Sequence, residues 1–169
     1  MKWIAISGGW RKNNDQTERD ARREAREIIS RGDGIVSGGA LGIDFFATDE
    51  ALKHDTAAAK IKIFLPATLE IFSKHYWKRA DEGVITHDQA EKLINQLETI
   101  KRTNPAALIE NLANQTINTE VYYERICEII KAADELVAFH INKSAGTQYT
   151  IDQARVKGIP VMLFEYNIE

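Results

Sequence analysis

Five short apolar runs, each followed by a longer stretch with helical periodicity, restrict most strongly what this chain can fold into. They are Lys2–Ser7, Gly34–Ser37, Lys60–Leu65, Glu135–His140 and Ile159–Phe164, all rich in Ile, Val, Leu or Phe. Short runs without polar alternation suit parallel strands covered on both faces. Strand and helix in alternation put helices on both sides of an open sheet. The expected fold is therefore α/β and doubly wound, with a mostly parallel sheet of about five strands.

The helices between the runs have legible ends. Residues 16–31 stop at Gly32, and residues 147–157 stop at Gly158 with Pro160 just beyond, the pattern of a glycine stop. Thr86 and Gln89 form a capping box ahead of Ala90, Leu93, Ile94, Leu97 and Ile100, which share one helical face. Asn104-Pro105 is expected to open another short helix carrying Leu108, Ile109 and Leu112. Tyr122, Ile126, Ile129, Ile130 and Ala133 form a stripe before the fourth run. Residues 66–118, between strands 3 and 4, are far longer than a simple crossover needs. They read as a helical elaboration, with a short strand expected at Val84–Thr86. No Pro/Gly/Ser-rich linker sets this segment apart, so residues 1–169 are expected to form a single domain.

Cys127 is the only cysteine, and the histidines at 54, 75, 87 and 140 are scattered. Neither a disulfide nor a metal site is expected. Trp3–Ile6 is too short for a signal segment and no run approaches a membrane span, so the expected location is the cytoplasm with no membrane partner. Lys and Arg number 22 against 25 Asp and Glu, a formal net charge of −3. That balance does not favour gripping long nucleic acid through bulk positive charge, so any anion site must be local.

Three strand ends carry glycine and hydroxyl residues, and ligands of open α/β sheets bind beyond the carboxyl ends of the strands. After the first run come Ser7, Gly8, Gly9, Trp10 and Arg11, where glycines admit a close ligand and Arg11 offers a bidentate donor. After the second come Ser37, Gly38, Gly39, Ala40, Leu41, Gly42, Ile43 and Asp44, a glycine turn entering a helix. Backbone N–H groups there would cradle an anion. Asp44 either favours the helix start, accepts from a sugar or base, or locks the loop. After the fourth come Lys143, Ser144, Ala145, Gly146, Thr147 and Thr150, which suit phosphate. The candidate ligand set is thus Ser7, Gly8, Gly9, Arg11, Ser37, Gly38, Gly39, Ala40, Gly42, Asp44, Lys143, Ser144, Gly146, Thr147 and Thr150. Within it, Gly39→Asp is expected to abolish binding and leave the fold intact.

The segment Val36 to Asp44, with Glu50-Ala51-Leu52 closing the helix, resembles the SG-x-A-x-GID…AL motif of DNA-processing protein A, the DprA/Smf family. Lys143 to Thr147, with Thr150-Ile151, Ala154 and Gly158 to Val161, resembles that family's KSG-[ST]-xx-T-xx-A segment. Ser7 to Arg11 resembles its G-S-R loop, and Arg125-Ile126 the end of its arginine-containing helix. The chain departs from the pattern where Ala145 is inserted and where Thr48 replaces a histidine. The resemblance implies a lone Rossmann-like core of the SLOG superfamily, whose members bind nucleotides or single-stranded DNA.

It also implies three functions to weigh. The first is binding of a nucleotide or nucleotide-derived phosphate ligand, with no cofactor required. The second is single-stranded DNA binding of recombination-mediator character. The third is nucleotide N-glycosidase activity, as in the related phosphoribohydrolases. There a glutamate follows the PGG-x-GT motif, whereas the corresponding residue here is Thr150. A hydroxyl cannot stabilise an oxocarbenium-like transition state as a carboxylate does, so a binding protein is favoured over an enzyme. Asp44, or failing it Asp152, is the candidate substitute. Cationic and aromatic residues at Tyr76, Trp77, Lys78 and Arg79 are weighed as a stacking patch against a plain packing helix. A homodimer is the expected assembly.

Overall fold

The computed structural model describes residues 1–169. Six strands, β1 (Trp3–Gly8), β2 (Gly34–Ser37), β3 (Ile61–Phe64), β4 (Leu108–Ile109), β5 (Glu135–Ile141) and β6 (Val161–Tyr166), form one sheet in the order β4-β3-β2-β1-β5-β6. Every pairing is parallel. Six helices fill the connections: α1 (Asp15–Ser30), α2 (Ile43–His54), α3 (Leu69–Asp81), α4 (His87–Thr103), α5 (Thr119–Ala132) and α6 (Ala145–Lys157). The fold is the expected doubly wound, Rossmann-like α/β architecture.

The sixth strand is the difference from expectation. Asn104-Pro105 opens only a single 3₁₀ turn, Pro105–Ala107, and Leu108 and Ile109 then run extended beside Ile63 and Phe64. Their apolar side chains cover the far end of β3, and this pairing outweighs a helix one turn long. The strand expected at Val84–Thr86 is absent. Gly83, at φ +76°, and Val84 close α3 through bonds to Ala80 and Arg79, and Thr86 already caps α4. Strand β6 begins two residues later than expected because Ile159 is used in the glycine stop of α6, bonding back to Ala154.

Alternation along the strands divides the core unequally. Ile4, Ile6, Ile35, Ile61, Ile63, Val137 and Phe139 face α1, α2 and α4 in the larger cluster. Ala5, Val36, Leu136 and Ala138 meet Ile129, Ile130 and Ile151 of α5 and α6 in the smaller one. Helix α1 is fastened to α2 by ion pairs as well as by its apolar face. Arg22 meets Asp49 at 2.6 Å and Arg26 meets the buried Glu50 at 3.2 Å. The chain leaves β1 toward β2, β3 and β4 on one side, while β5 and β6 lie on the other. The crevice over the carboxyl ends of β1 and β5 is therefore the topological switch point. No helix is long and apolar enough to cross a membrane.

Candidate functional site

A cavity of about 450 Å³ opens at that switch point. Its floor is Ser7, Gly8 and Gly9 after β1, with Gly38, Ala40 and Asp44 from the turn between β2 and α2. One wall is the start of α6, with Ser144, Gly146, Thr147 and Thr150, and the other walls are His75, Tyr76 and Arg79 of α3 and Tyr122, Tyr123 and Arg125 of α5. Ten of the fifteen residues expected to form the site thus line one cavity.

The remaining five do not. Arg11 is exposed, with its guanidinium 5.5 Å from the Trp10 ring centroid. Lys143 is exposed in a left-handed turn with Asn142, at φ +51° and +52°. Ser37 is fully buried at the end of β2. Gly39 faces the core, where a Cβ would lie 2.8 Å from Ile63 and 2.9 Å from Leu65. Gly39→Asp would thus place a carboxylate among Ile63, Leu65 and Leu97 and damage the fold itself, contrary to expectation. Gly42, at φ +74° and ψ −128°, holds a conformation open to glycine alone, and a side chain there would collide with the carbonyl of Gly9.

The turn between β2 and α2 spends most of its own donors, those of Gly38 to Leu41 and of Ile43. Asp44 Oδ2 accepts from the backbone N–H groups of Gly38 and Ala40, each at 3.2 Å. The Leu41 N–H donates to the Tyr76 hydroxyl at 3.4 Å, and the Ile43 N–H to the Gly9 carbonyl at 3.1 Å. The anion held by this cradle is the protein's own carboxylate, so of the three roles weighed for Asp44 the structure displays loop locking. Burial pushes the Asp44 carboxyl up to about 6, against the opposing pull of Arg125 and the two backbone donors.

The start of α6 is the opposite case. The first N–H to bond back into the helix is that of Gln148, to the Ser144 carbonyl at 3.1 Å, and the Ser144 side chain makes no cap. The N–H groups of Ala145, Gly146 and Thr147 are therefore left without helical partners beside the cavity. Thr150 donates to the Gly146 carbonyl at 2.9 Å and receives the Ser7 hydroxyl at 3.4 Å, which leaves the Thr147 hydroxyl unused although Thr147 is 4% exposed. With the helix dipole behind them, these groups form an anion-binding end.

Two functional candidates missing from the expected ligand set are Arg79 and Arg125. Arg125 follows Tyr122 by three residues and projects from the buried stripe of α5, packing its guanidinium 5.1 Å from the Tyr122 ring centroid and donating to the Gly38 carbonyl. Its Nε is buried without a partner. The sequence signalled Arg125 through its match to the family's arginine-containing helix and Arg79 only within the mixed patch at 76–79. A Cβ on Gly38 would lie 2.5 Å from the Arg125 guanidinium carbon, so a side chain there would displace that guanidinium. His75 contacts the Tyr122 hydroxyl at 3.2 Å, and burial holds its imidazole below the ordinary range. Trp77 stacks on His87 outside the cavity, so the patch weighed at 76–79 is split between the core, the surface and the cavity wall.

Asp152 is exposed and bonded to Gln148, away from the cavity. Asp44 is the one carboxylate lining the cavity. Cys127 contacts the Tyr149 hydroxyl at 3.4 Å.

Residues 1–75 match the family model for DNA recombination-mediator protein A. Over this segment the chain is DprA-like. Solved structures extend the likeness of fold across the rest. DNA processing protein A from Helicobacter pylori superposes with a TM-score of 0.69 at 19% identity, covering 96% of this chain and 64% of that one. DprA from Streptococcus pneumoniae superposes with a TM-score of 0.64 at 15% identity, over 96% of this chain and 50% of that one. The chain therefore spans less than two thirds of either DprA structure. The molybdenum cofactor carrier protein of Chlamydomonas reinhardtii shares the fold at a TM-score of 0.59 and 15% identity, over 96% of this chain and 75% of that one. No curated protein sequence matches the chain.

Proposed function

We propose that the protein binds single-stranded DNA by taking one nucleotide unit into the switch-point cavity, with that unit's phosphate on the start of α6. The observation that carries this reading is the unsatisfied α6 N-terminus, where three N–H groups and the Thr147 hydroxyl converge without partners. Tyr122 and Tyr123 supply aromatic wall against which a base can lie. The DprA-like amino-terminal segment supports the polymer as the source of the nucleotide, since the Helicobacter pylori relative is described by its single-stranded DNA binding mode.

A second reading, a free nucleotide or nucleotide-derived ligand, is favoured by the net charge of −3 and by a bounded cavity in place of a long basic track. Neither reading calls on a catalytic base. N-glycosidase chemistry has the weakest support, because Thr150 is tied to the helix backbone and Asp44 to the turn.

Fluorescence anisotropy with a labelled single-stranded oligonucleotide at low salt tests the proposal. Binding that weakens as salt rises, and falls about tenfold (1.4 kcal/mol) in Thr147→Val, is the expected result. Stabilisation by a mononucleotide with no oligonucleotide binding would select the second reading, and no response to either would overturn both.

A further inference from the structure

We infer that the cavity has a second anionic subsite, built by Arg79 and Arg125, so that its ligand carries two phosphates flanking one nucleoside. This inference rests on the phosphate-binding reading of α6 and specifies the chemical class of the ligand. The bisphosphate unit can be part of a strand or a free nucleoside 3′,5′-bisphosphate.

The argument begins with position. Helix α6 starts beyond the end of β5, whereas Arg125 is anchored on the carbonyl of Gly38, just beyond the end of β2. In the sheet, β1 lies between those strands. At a spacing of about 4.8 Å per strand, the strand ends that carry the two donor sets are about 10 Å apart, a span suited to two phosphates on one nucleoside.

The Arg125 end is built to receive charge. Its guanidinium lies in no ion pair, its Nε is buried without an acceptor, and its one protein acceptor is the Gly38 carbonyl. Arg79 reaches the same cavity from α3, held only by a 3.9 Å contact to Glu82. Asp44 contributes one negative charge nearby, but its Oδ2 is engaged by Gly38 and Ala40. Two guanidinium groups here face two carboxylates, Asp44, spent on the turn, and Glu82, at the exposed 3.9 Å limit of an ion pair, so several guanidinium N–H donors stay free toward the cavity. A base carbonyl would satisfy one donor, whereas a phosphate offers charge and several acceptor oxygens to a planar fork. Arg79 belongs to the 66–118 elaboration, outside the segments that resemble the family motifs, whereas Arg125 falls where the family's arginine-containing helix is matched.

Calorimetry with thymidine 5′-monophosphate, 3′-monophosphate and 3′,5′-bisphosphate decides the matter. The bisphosphate is expected to bind at least about tenfold tighter than either monophosphate. Arg79→Gln is expected to reduce that ratio toward one, and Arg79→Lys to restore part of it as a point charge. Thermal unfolding of each variant confirms folding, since the Arg79 side chain is 42% exposed. Equal affinities for mono- and bisphosphate would overturn the second subsite and leave the α6 site standing. Absence of binding by all three probes, together with no oligonucleotide binding, would overturn both.

Discussion

The two glycine-led turns that enter helices at the carboxyl edge of the sheet are written in similar residues and do opposite things. Between β2 and α2 the Gly38 and Ala40 N–H groups close on Asp44, and Gly39 and Gly42 hold positive φ against the core and the Gly9 carbonyl. Between β5 and α6 the donors remain open, and a Cβ on Gly146 would meet nothing within 4 Å. A helix N-terminus is an anion site only while its donors are unspent. The first turn is thereby a rigid floor and the second a binding surface.

The sharpest way to break this contrast is to add one methyl group to each turn. Gly42→Ala forces a side chain into a positive-φ position against the Gly9 carbonyl. It should cost about 3 kcal/mol or more in urea denaturation. A smaller loss would show that the floor can rearrange.

Asp44→Asn probes what the self-bound carboxylate costs. Its folded-state pKa of about 6 exceeds the ordinary 3.8, so the folded state holds this proton the more tightly. Stability from this group is complete below about pH 4 and is lost as pH rises through about 6. The amide can still accept from Gly38 and Ala40 without titrating. The variant should therefore be more stable than the parent by about 2–3 kcal/mol at pH 8, an advantage that fades toward pH 4. A constant difference at both pH values would exclude titration of Asp44 as its source.

The smallest effect is expected at the open turn. Gly146→Ala should raise stability by about 0.5–1 kcal/mol through helix propensity, and a loss in the same urea experiment would mean that this end is packed after all.

Much of the fold was legible because its signals are local. β2 coincides with its apolar run, α1 and α6 end at their glycine stops, and the Thr86 capping box is present. β4 was hidden because two residues carry no period, and only the exposed edge of β3 gives Leu108 and Ile109 a partner. The ion pairs of α1 follow tertiary neighbours as much as helical spacing. Glu18 pairs with Arg22 at i,i+4, but Arg23 turns to Asp20 and Glu24, and Arg26 is drawn to Glu50 across the helix interface. The candidate site divides the same way. Its three loops could be located from glycine and hydroxyl spacing, whereas Arg79 joins Arg125 from a position 46 residues away in sequence.

By itself, the sequence determined the strand–helix alternation, the glycine stops and the edge of the sheet at which ligands gather, because these follow from neighbours within a few residues. Only the tertiary structure decided which glycines face a ligand and which face the core, and that Asp44 closes one cradle while the other stays open. It also decided that two arginines from separate helices share one cavity. Those outcomes depend on which distant groups compete for the same backbone donors and the same space, and no local pattern encodes that competition.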